Sequence, residues 1–360
     1  MKTWKRTTAV AAVALITSAT LAACGDAPDK KADKKSDFLP CIVSDAGGFD
    51  DKSFNQLSYE GVKEAAEKLG SEFKQVESNS DQEYGPNIEN MVGAGCDLIV
   101  TVGFALSAAT VESAKANPDI DYVLIDDAAD NDFNGQKDAD NIKPLLYDTA
   151  QAAFLAGYAA ADYTKSGVVG TYGGQPFPTV TIFMDGFKQG VEYYAKEKSK
   201  DVKVVGYSGG EKGTFTGGFE ANEKATNTAK NILDQKADVI LPVGGPIYQG
   251  ALTAIKDAGK DVAMLGVDAD LYETDPTTQD VVLTSVLKNM KQSTYEAVIA
   301  AGGGKFDAEA YIGTLKNDGV GIAPFHNFDS KVSDSLKSEL DEVKAGIIDG
   351  SIKVTSYLNQ

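Results

Sequence analysis

The sequence predicts an α/β protein made of two doubly wound parallel-sheet lobes, with a hinge and a ligand cleft between them. Three observations support this fold class. Apolar runs of strand length alternate with amphipathic stretches of helix length. The alternation starts again after a loop at residues 126–146, without a linker rich in Pro, Gly or Ser. About 320 residues follow the N-terminal segments, which is more than one hydrophobic core usually organises.

The first lobe is predicted from the first set of elements. Short connections between alternating strands and helices indicate parallel strands with helices on both faces. The predicted strands are 39–44, 72–76, 97–102 and 122–125, and the predicted helices are 54–69, 84–92 and 105–116. We place this lobe at 38–146, and we expect a later segment, about 268–305, to return to it.

The second set of elements predicts a second lobe of the same kind, at 147–267 together with about 306–360. Its predicted strands are 168–172, 202–207, 239–243 and 262–267, and its helices are 148–163, 180–196, 221–233, 247–258 and 333–345. A further predicted helix, 287–301, falls in the segment that returns to the first lobe. In open parallel sheets, ligands bind beyond the carboxyl ends of the strands. We therefore look for binding residues in the loops that follow the strands.

The N-terminus predicts export and lipid anchoring. A basic start precedes an apolar stretch at about 8–22, which ends in Leu-Ala-Ala-Cys at 21–24. We expect a signal peptide at 1–23, a lipidated Cys24, and a disordered polar tether at 24–37. The protein would then lie on the extracytoplasmic face of the cell membrane. The alternative is an ordinary secretory peptide with an incidental cysteine.

The net charge restricts the class of partner. The whole chain carries a formal charge of −19, and loss of Lys2, Lys5 and Arg6 with the signal peptide leaves 31 basic against 53 acidic residues, or −22. Such an acidic protein is a poor partner for nucleic acid or for an anionic membrane surface. We therefore expect a monomer that touches the membrane only through its lipid.

Two cysteines remain after the predicted signal peptide and Cys24, and we expect them to form a disulfide. Cys41 opens the first strand and Cys96 immediately precedes the third. In a doubly wound sheet these two strands are commonly neighbours, about 4.8 Å apart, which suits a disulfide. Export supplies an oxidising compartment. The alternative is two separate buried thiols.

The loop after the first strand carries the first candidate binding residues. Two glycines are followed by aromatic, carboxylate, hydroxyl and amide groups at the start of a helix, which offers free backbone N–H donors. Phe54 could stack on a planar polar ligand, and Asp50 and Asn55 could form hydrogen bonds to it. The alternative is a capped helix, with Asp50 or Asp51 as the N-cap and Phe54 in the core.

Charged side chains follow three further predicted strands. Asp126 and Asp268 each come directly after an apolar strand, where their carboxylates can accept hydrogen bonds from ligand hydroxyls or ring N–H groups. Lys288 follows Thr-Ser-Val-Leu at 284–287 and could reach a hydroxyl or a carboxylate. The alternatives are helix caps for the carboxylates and a solvated face for the lysine.

Two glycine-rich segments complete the candidate cleft. The loop at 209–219 does not have the glycine, lysine and hydroxyl spacing of a P-loop, and its glycines suit a mobile loop that places Phe219 on a ligand. Gly245 follows another strand and would let the backbone approach a ligand closely. A plain surface loop and a simple tight turn are the alternatives.

One further loop has the opening of a calcium-binding loop. Asp130, Asp132, Asn134 and Gly135 stand in the expected positions, but position twelve is Asn141 instead of an acid, and a strand precedes the loop where a helix would be expected. We interpret it as a polar turn, and we expect neither a metal site nor a cofactor.

Several motifs together resemble a known family. They are Gly-Phe-Asp-Asp-Lys-Ser-Phe-Asn-Gln at 48–56, Val-Gly-Phe at 102–104, Phe-Leu-Ala-Gly at 154–157, Phe183 with Gly-Phe at 186–187, Gly-Val-Asp at 266–268 and Ser-Val-Leu-Lys at 285–288. In this order they resemble the basic membrane protein family of substrate-binding lipoproteins. The best-known members of that family bind purine nucleosides for ABC transporters. The resemblance runs from about residue 40 to the C-terminus.

The resemblance implies a type I periplasmic-binding-protein fold that binds a nucleoside, specifically a purine nucleoside, and delivers it to an ABC transporter permease. It places Phe54 on the base, Asp50, Asn55 and Asp126 at base or cleft contacts, and Asp268 and Lys288 at the ribose. The loop around Phe219 is longer than in the family and lacks its usual Asp-Pro. This difference leaves the second stacking ring and the base preference open.

Three other functions compete with this interpretation. The first is binding of a sugar or another polyol on the same fold. The second is nucleoside hydrolysis, which needs a general acid or base or an activated nucleophile, but the single histidine, His326, lies near no motif. The third is a ligand-responsive surface sensor or adhesin. We expect a binding protein and not an enzyme.

Overall fold

The computed structural model describes residues 36–259 and 261–359. The predicted signal peptide, the lipidated Cys24 and most of the predicted tether lie outside these residues. In chain order the strands are β1 Pro40–Val43, β2 Lys74–Val76, β3 Leu98–Val102, β4 Asp121–Ile125, β5 Ile142–Tyr147, β6 Val168–Gly173, β7 Lys203–Val205, β8 Tyr207–Gly209, β9 Lys212–Gly213, β10 Val239–Val243, β11 Ala263–Asp268, β12 Val282–Lys288, β13 Tyr311–Gly313 and β14 Val320–Ile322.

The helices flank two sheets built from these strands. They are α1 Phe54–Leu69, α2 Asp81–Gly93, α3 Ser107–Ala116, α4 Thr149–Tyr163, α5 Pro178–Lys198, α6 Glu223–Asp234, α7 Tyr248–Ala258, α8 Leu271–Thr274, α9 Met290–Gly302 and α10 Leu336–Asp349. Within the described residues, no helix combines the length and apolar character needed to cross a membrane.

The two sheets are the centres of two lobes. The first has the order β13-β5-β4-β3-β1-β2, with every pair parallel. The second has the order β14-β12-β11-β10-β6-β7, in which only β14 is antiparallel to its neighbour. Central strands such as β1, β3, β10 and β11 are buried along their whole length, as expected when helices cover both faces. The predicted doubly wound α/β architecture is confirmed.

The chain crosses between the lobes three times. The crossings run from β5 to α4, from β12 to α9, and from β13 to β14. They are hydrogen-bonded to one another, because Asp148 N donates to Gly313 O at 2.8 Å and Asn289 N donates to Gly319 O at 2.9 Å. Three short, mutually bonded crossings form the hinge between the lobes.

The predicted returning segment at about 268–305 differs from this topology. Val282–Lys288 is strand β12 of the second sheet, where it pairs with β11. The chain returns to the first lobe only after β12. It forms α9 there, which packs against α1, and then β13, which pairs with β5. The prediction of 306–360 for the second lobe is likewise wrong for β13. The cause is that the apolar run of β12 leads directly into the next helix, so that 287 looked like a helix start.

The predicted cysteine pairing is present in the structure. Cys41 and Cys96 form a disulfide with a Cα–Cα distance of 6.0 Å. β1 and β3 are parallel neighbours, with Pro40 opposite Leu98. The disulfide therefore lies at the amino ends of both strands, away from the loops that follow their carboxyl ends.

Because of this position, the disulfide is expected to contribute to stability without affecting ligand binding. It closes a loop with a sequence separation of 55 residues. Replacement of both cysteines with serine should lower the free energy of unfolding by roughly 2–4 kcal/mol. Urea unfolding of the double variant measures this change, and ligand affinity should match that of the wild type. An unchanged unfolding midpoint would contradict the expectation.

Candidate functional site

A cleft of about 340 Å³ lies between the two lobes. Its walls come from residues at or shortly after the carboxyl ends of β1, β3 and β4 in the first lobe and of β6, β10, β11 and β12 in the second. The starts of α1, α2 and α5 and the loop around Phe219 complete the walls. Of the predicted binding residues, seven line this cleft: Phe54, Asn55, Asp126, Phe219, Gly245, Asp268 and Lys288. The carboxyl ends of the two sheets thus face each other across one cavity, as open parallel sheets require.

A buried charged group forms the floor of the cleft. Lys288 ends β12, and its Nζ lies 2.5 Å from Asp126 Oδ2 of the first lobe and 3.6 Å from Asp268 Oδ1 of the second. The three side chains are between 3% and 7% exposed. The ammonium also lies 5.1 Å from the ring centre of Phe54 and 5.2 Å from that of Phe183. The lysine that could have been a solvated surface residue is instead a buried ion-pair partner at the hinge.

The two aspartates occupy corresponding positions in the two lobes. Asp126 immediately follows β4 and Asp268 ends β11, and each has a φ of +67°. A left-handed conformation costs a residue with a side chain free energy, although aspartate tolerates it better than most. Strain of this kind is retained where the surroundings fix it, often at functional sites. Here the conformation turns both carboxylates towards the single lysine.

The first loop after β1 is organised around a second carboxylate pair. Asp51 caps α1: its oxygens accept hydrogen bonds from the backbone N–H groups of Ser53, Asn55 and Gln56 at 2.8–3.1 Å. The Asn55 amide donates to Asp45 Oδ1 at 2.7 Å and to Asp51 Oδ2 at 3.1 Å. Asn55 therefore lines the cleft as predicted, but its polar atoms hold the two aspartates in position.

The two carboxylate oxygens of Asp45 differ in their hydrogen bonding. Its Oδ1 accepts from Gly47 N at 2.8 Å and from Asn55, whereas Oδ2 has no hydrogen bond within the described part of the chain. A Cβ placed on Gly103 would lie 3.1 Å from Asp45 Oδ2 and 3.5 Å from the Phe54 ring. Asp45 Oδ2 and one edge of the Phe54 ring therefore both lie next to Gly103.

The prediction for Asp50 is wrong. Its side chain is 88% exposed, pairs with Lys52, and does not line the cleft. The reason is local geometry, because α1 begins at Phe54 and only the Asp51 carboxylate reaches back over the free N–H groups of the first turn. Adjacent residues before a helix point in different directions, so only one of the two aspartates can cap it.

Burial disfavours the charged form of the cleft carboxylates. Burial raises the pKa of Asp268 to about 6, and Lys288 opposes this rise. Burial likewise raises the pKa of Asp45 to about 6, against the hydrogen bonds from Gly47 and Asn55. The pKa values of Asp51 and Asp126 are also raised by burial. Among the described residues that line the cleft, these acids face one cation, so the cavity disfavours anionic ligands.

A row of aromatic rings crosses the cleft. The Phe104 ring of the first lobe is 4.9 Å from the Phe177 ring of the second, and Phe177 is 5.8 Å from Phe219. Phe219 rests on two glycines, because a Cβ on Gly174 would lie 2.3 Å from its ring and one on Gly244 would lie 2.7 Å away. These two glycines therefore let the backbone lie directly against the Phe219 ring.

The glycine-rich loop around Phe219 is fastened to the second sheet. Thr216 N donates to Gly173 O at 2.9 Å, and Gly217 N donates to Gly174 O at 2.7 Å. Gly173 N in turn donates to Thr214 O at 3.0 Å. The loop that was predicted to be mobile is thus hydrogen-bonded along the end of β6. These bonds hold Phe219 in position in the cleft wall.

Several cleft residues are absent from the sequence-based prediction. Asp45 follows β1 as Asp126 follows β4, so the same rule would have found it. Gln175, Phe177, Thr179 and Phe183 surround the start of α5 and enter the cleft through long-range packing, for which the local sequence carries no signal.

Two other polar clusters lie outside the cleft. In the loop after β4, side-chain oxygens of Asp130, Asp132 and Asp138 lie within 4.8 Å of one another, and they accept hydrogen bonds from backbone N–H groups of that loop. His326 bonds Asp270 at 2.7 Å and stacks on Tyr272. Neither cluster lines the cleft.

Comparisons with known proteins identify the family to which the chain belongs. A family model, Bmp, described as ABC transporter substrate-binding protein PnrA-like, covers residues 39–356. The chain is 31% identical to the ABC transporter nucleoside-binding protein BmpA of Lactococcus lactis, covering 98% of this chain and 99% of that protein. It is 31% identical to basic membrane protein A of Borreliella burgdorferi, covering 86% of each.

A solved structure gives the same result for the fold. The ABC transporter solute-binding protein of Aeropyrum pernix K1 superposes with a TM-score of 0.78 at 25% identity, covering 90% of this chain and 94% of that one. The predicted fold of two periplasmic-binding-protein-like lobes is confirmed.

Proposed function

Because the chain belongs to the Bmp family of PnrA-like ABC transporter substrate-binding proteins, we propose that it is a lipid-anchored, extracytoplasmic protein that delivers a purine nucleoside to an ABC transporter permease. The relative from Lactococcus lactis that is named a nucleoside-binding protein supports this ligand class. The basic start, the apolar stretch and Cys24 support the anchor. The protein binds its ligand without converting it.

The observation that carries the proposal is the unpartnered carboxylate oxygen of Asp268. Asp268 is 5% exposed, and its Oδ1 has no hydrogen-bond partner within the described structure. Lys288 Nζ lies 3.6 Å from this oxygen. A buried acceptor without a partner costs roughly 1–3 kcal/mol. A ribose hydroxyl can donate to Asp268 and accept from Lys288 at once, so a ribose placed here removes that cost.

The base fits the first-lobe side of the same cavity. Phe54 offers the face of an aromatic ring, and Asp45 Oδ2 is an acceptor at the edge of that ring. A purine that stacks on Phe54 would present its ring N–H or amino group to this oxygen. Stacking of a base on an aromatic side chain is worth roughly 1–3 kcal/mol in single-strand binding sites. Phe219 is a second ring in the same cleft.

Calorimetric titration tests the proposal. Inosine, guanosine, adenosine, uridine, free ribose and myo-inositol are titrated into the protein, and we expect the purine nucleosides to bind most tightly. Asp268→Asn should weaken ribonucleoside binding while preserving the left-handed backbone, and Asp50→Asn, in an exposed aspartate outside the cleft, should leave it unchanged. Tight binding of free ribose or myo-inositol with no binding of any nucleoside would refute the proposal.

The charge of the cleft predicts rejection of nucleotides. A phosphate would lie among Asp45, Asp51, Asp126 and Asp268, with only Lys288 as a counter-ion in the described cleft lining. We expect inosine 5′-monophosphate to bind at least about 100-fold more weakly than inosine, since like charges in a poorly solvated site cost several kcal/mol. Competition calorimetry at pH 7.5 measures this ratio. Equal affinity for the two compounds would contradict the expected selectivity.

A further inference from the structure

The rings of Phe104 and Phe177 form a contact between the lobes at the mouth of the cleft. Phe104 opens a short 3₁₀ turn directly after β3, on a glycine with a φ of +114°. Phe177 is the residue before Pro178, at the start of α5. The ring centres are 4.9 Å apart and the planes are inclined by 33°. The neighbouring residues Ala105 and Pro178 are exposed, so this contact lies at the protein surface.

Each half of the contact is held by its own lobe. Phe177 also packs against Phe219, at 5.8 Å, and Phe219 rests on Gly174 and Gly244. The backbone bonds from Thr216 and Gly217 to the end of β6 fix the loop that carries Phe219. The second-lobe half is therefore a two-ring unit on a rigid seat, and the first-lobe half is the single ring of Phe104.

The position of the rings gives this contact a large effect on lobe motion. In the first sheet β3 stands two places from β5, which leads into the hinge, and in the second sheet β6 stands three places from β12. With neighbouring strands about 4.8 Å apart, the rings lie roughly 10–15 Å from the crossings. A rotation about the hinge separates the rings far more than it separates Lys288 from Asp126, which lie at the hinge itself.

We infer that Phe104 and Phe177 form an aromatic clasp that favours the closed arrangement of the lobes independently of the ligand, and so determines how fast a bound ligand leaves. The contact joins protein to protein, and it buries ring surface that opening must return to water. Phe54 acts differently, because it lies beside Lys288 on the cleft floor. The inference rests on the proposed function only for the choice of inosine as the probe.

The clasp predicts specific changes in rate constants. Phe104→Ala and Phe177→Ala should each raise the dissociation rate constant of inosine by about tenfold, while the association rate constant stays the same or increases, because opening becomes easier. Since the two rings act on each other, the double variant should dissociate no faster than Phe177→Ala alone. Phe104→Leu, which keeps apolar bulk, should fall between the wild type and Phe104→Ala.

A measurement without ligand separates the clasp from a ligand contact. Small-angle X-ray scattering of the ligand-free protein should give a larger radius of gyration for Phe104→Ala and Phe177→Ala than for the wild type. Phe133→Ala is the matched control, since Phe133 is in the first lobe and is 87% exposed. It should change neither the scattering nor the rates.

The radius of gyration and the rate constants together distinguish the clasp from a simple ligand contact. A larger radius of gyration in the two clasp variants supports the clasp even if no nucleoside binds, in which case the proposed function fails alone. An unchanged radius together with slower association would mean that the rings only touch the ligand, and would overturn the clasp. Additive effects of the two substitutions on dissociation would overturn it as well.

Discussion

Replacement of Lys288 with methionine should abolish measurable nucleoside binding. The ammonium lies between Asp126 and Asp268, and all three side chains are buried. Removal of one partner of a buried ion pair costs roughly 3–5 kcal/mol, because the remaining charges lose their compensation. The affinity should fall by at least about 100-fold, because the ribose loses a hydrogen bond from a charged donor and the two aspartates are left without their cation. Calorimetry with inosine measures the loss.

The same variant should have a changed pH dependence of stability. Burial raises the pKa of Asp268 to about 6 already in the wild type, and that of Asp126 is also raised. Without Lys288 both pKa values rise further, because the cation lowers them. An acid whose folded pKa is raised stabilises the protein at low pH, and this stabilisation is lost as the pH rises through the folded pKa. The variant should therefore regain stability between pH 7.5 and pH 5.

Lys291→Met is the matched control for this prediction. Lys291 is in the next helix, is 37% exposed, and pairs with Glu60 and Glu64 at the surface. Partly exposed pairs of this kind contribute roughly 1 kcal/mol or less. Urea unfolding at the two pH values compares the variants. Two results together would contradict the role given to the Lys288 ion pairs. They are an affinity loss below tenfold in Lys288→Met and a change in the free energy of unfolding between the two pH values like that of Lys291→Met.

A second large effect is expected at the contact between α4 and α5, the helices that follow the first crossing. Three glycines let the two backbones touch: a Cβ on Gly190 would lie 2.0 Å from Phe154 O, one on Gly157 would lie 2.1 Å from Phe187 O, and one on Gly186 would lie 2.3 Å from Ala150 O. Backbone atoms cannot move aside as a flexible side chain can. The helices would have to separate along their whole contact.

Gly190→Ala should therefore lower the free energy of unfolding by about 3 kcal/mol or more, at the upper end of the cost of overpacking a core. Gly93→Ala is the control, because a Cβ at this glycine, which ends α2, meets no atom within 4 Å. That change should be neutral or stabilise the protein slightly. Urea unfolding gives both values. A loss below about 1 kcal/mol for Gly190→Ala would contradict the close helix contact.

The sequence predicted those parts of the molecule that local patterns determine. Strands buried on both faces produce uninterrupted apolar runs, and the alternation of these runs with amphipathic helices is sufficient for two doubly wound lobes. Asp126 and Asp268 could be found because the carboxyl ends of parallel strands meet at one edge. The predicted pairing of Cys41 with Cys96 used the same adjacency of strands.

The remaining features depend on long-range packing or on differences of one residue. β12 was overlooked because its apolar run leads straight into α9, and this left a solvated position at a helix start as the alternative for Lys288. The start of α1 at residue 54 was predicted correctly, but the choice between Asp50 and Asp51 depends on how the turn before the helix runs, where Lys52 has a φ of +62°. Phe104 and Phe177 meet only because the two lobes face each other, and no local pattern encodes that contact.

The most direct measurement is a crystal structure of the protein grown with inosine. The account predicts the base stacked on Phe54 with a ring N–H donated to Asp45 Oδ2, and the ribose hydroxyls within hydrogen-bonding distance of Asp268 Oδ1 and Lys288 Nζ. Inosine bound outside the cleft, or bound in it with Asp268 Oδ1 still unpartnered, would contradict the account.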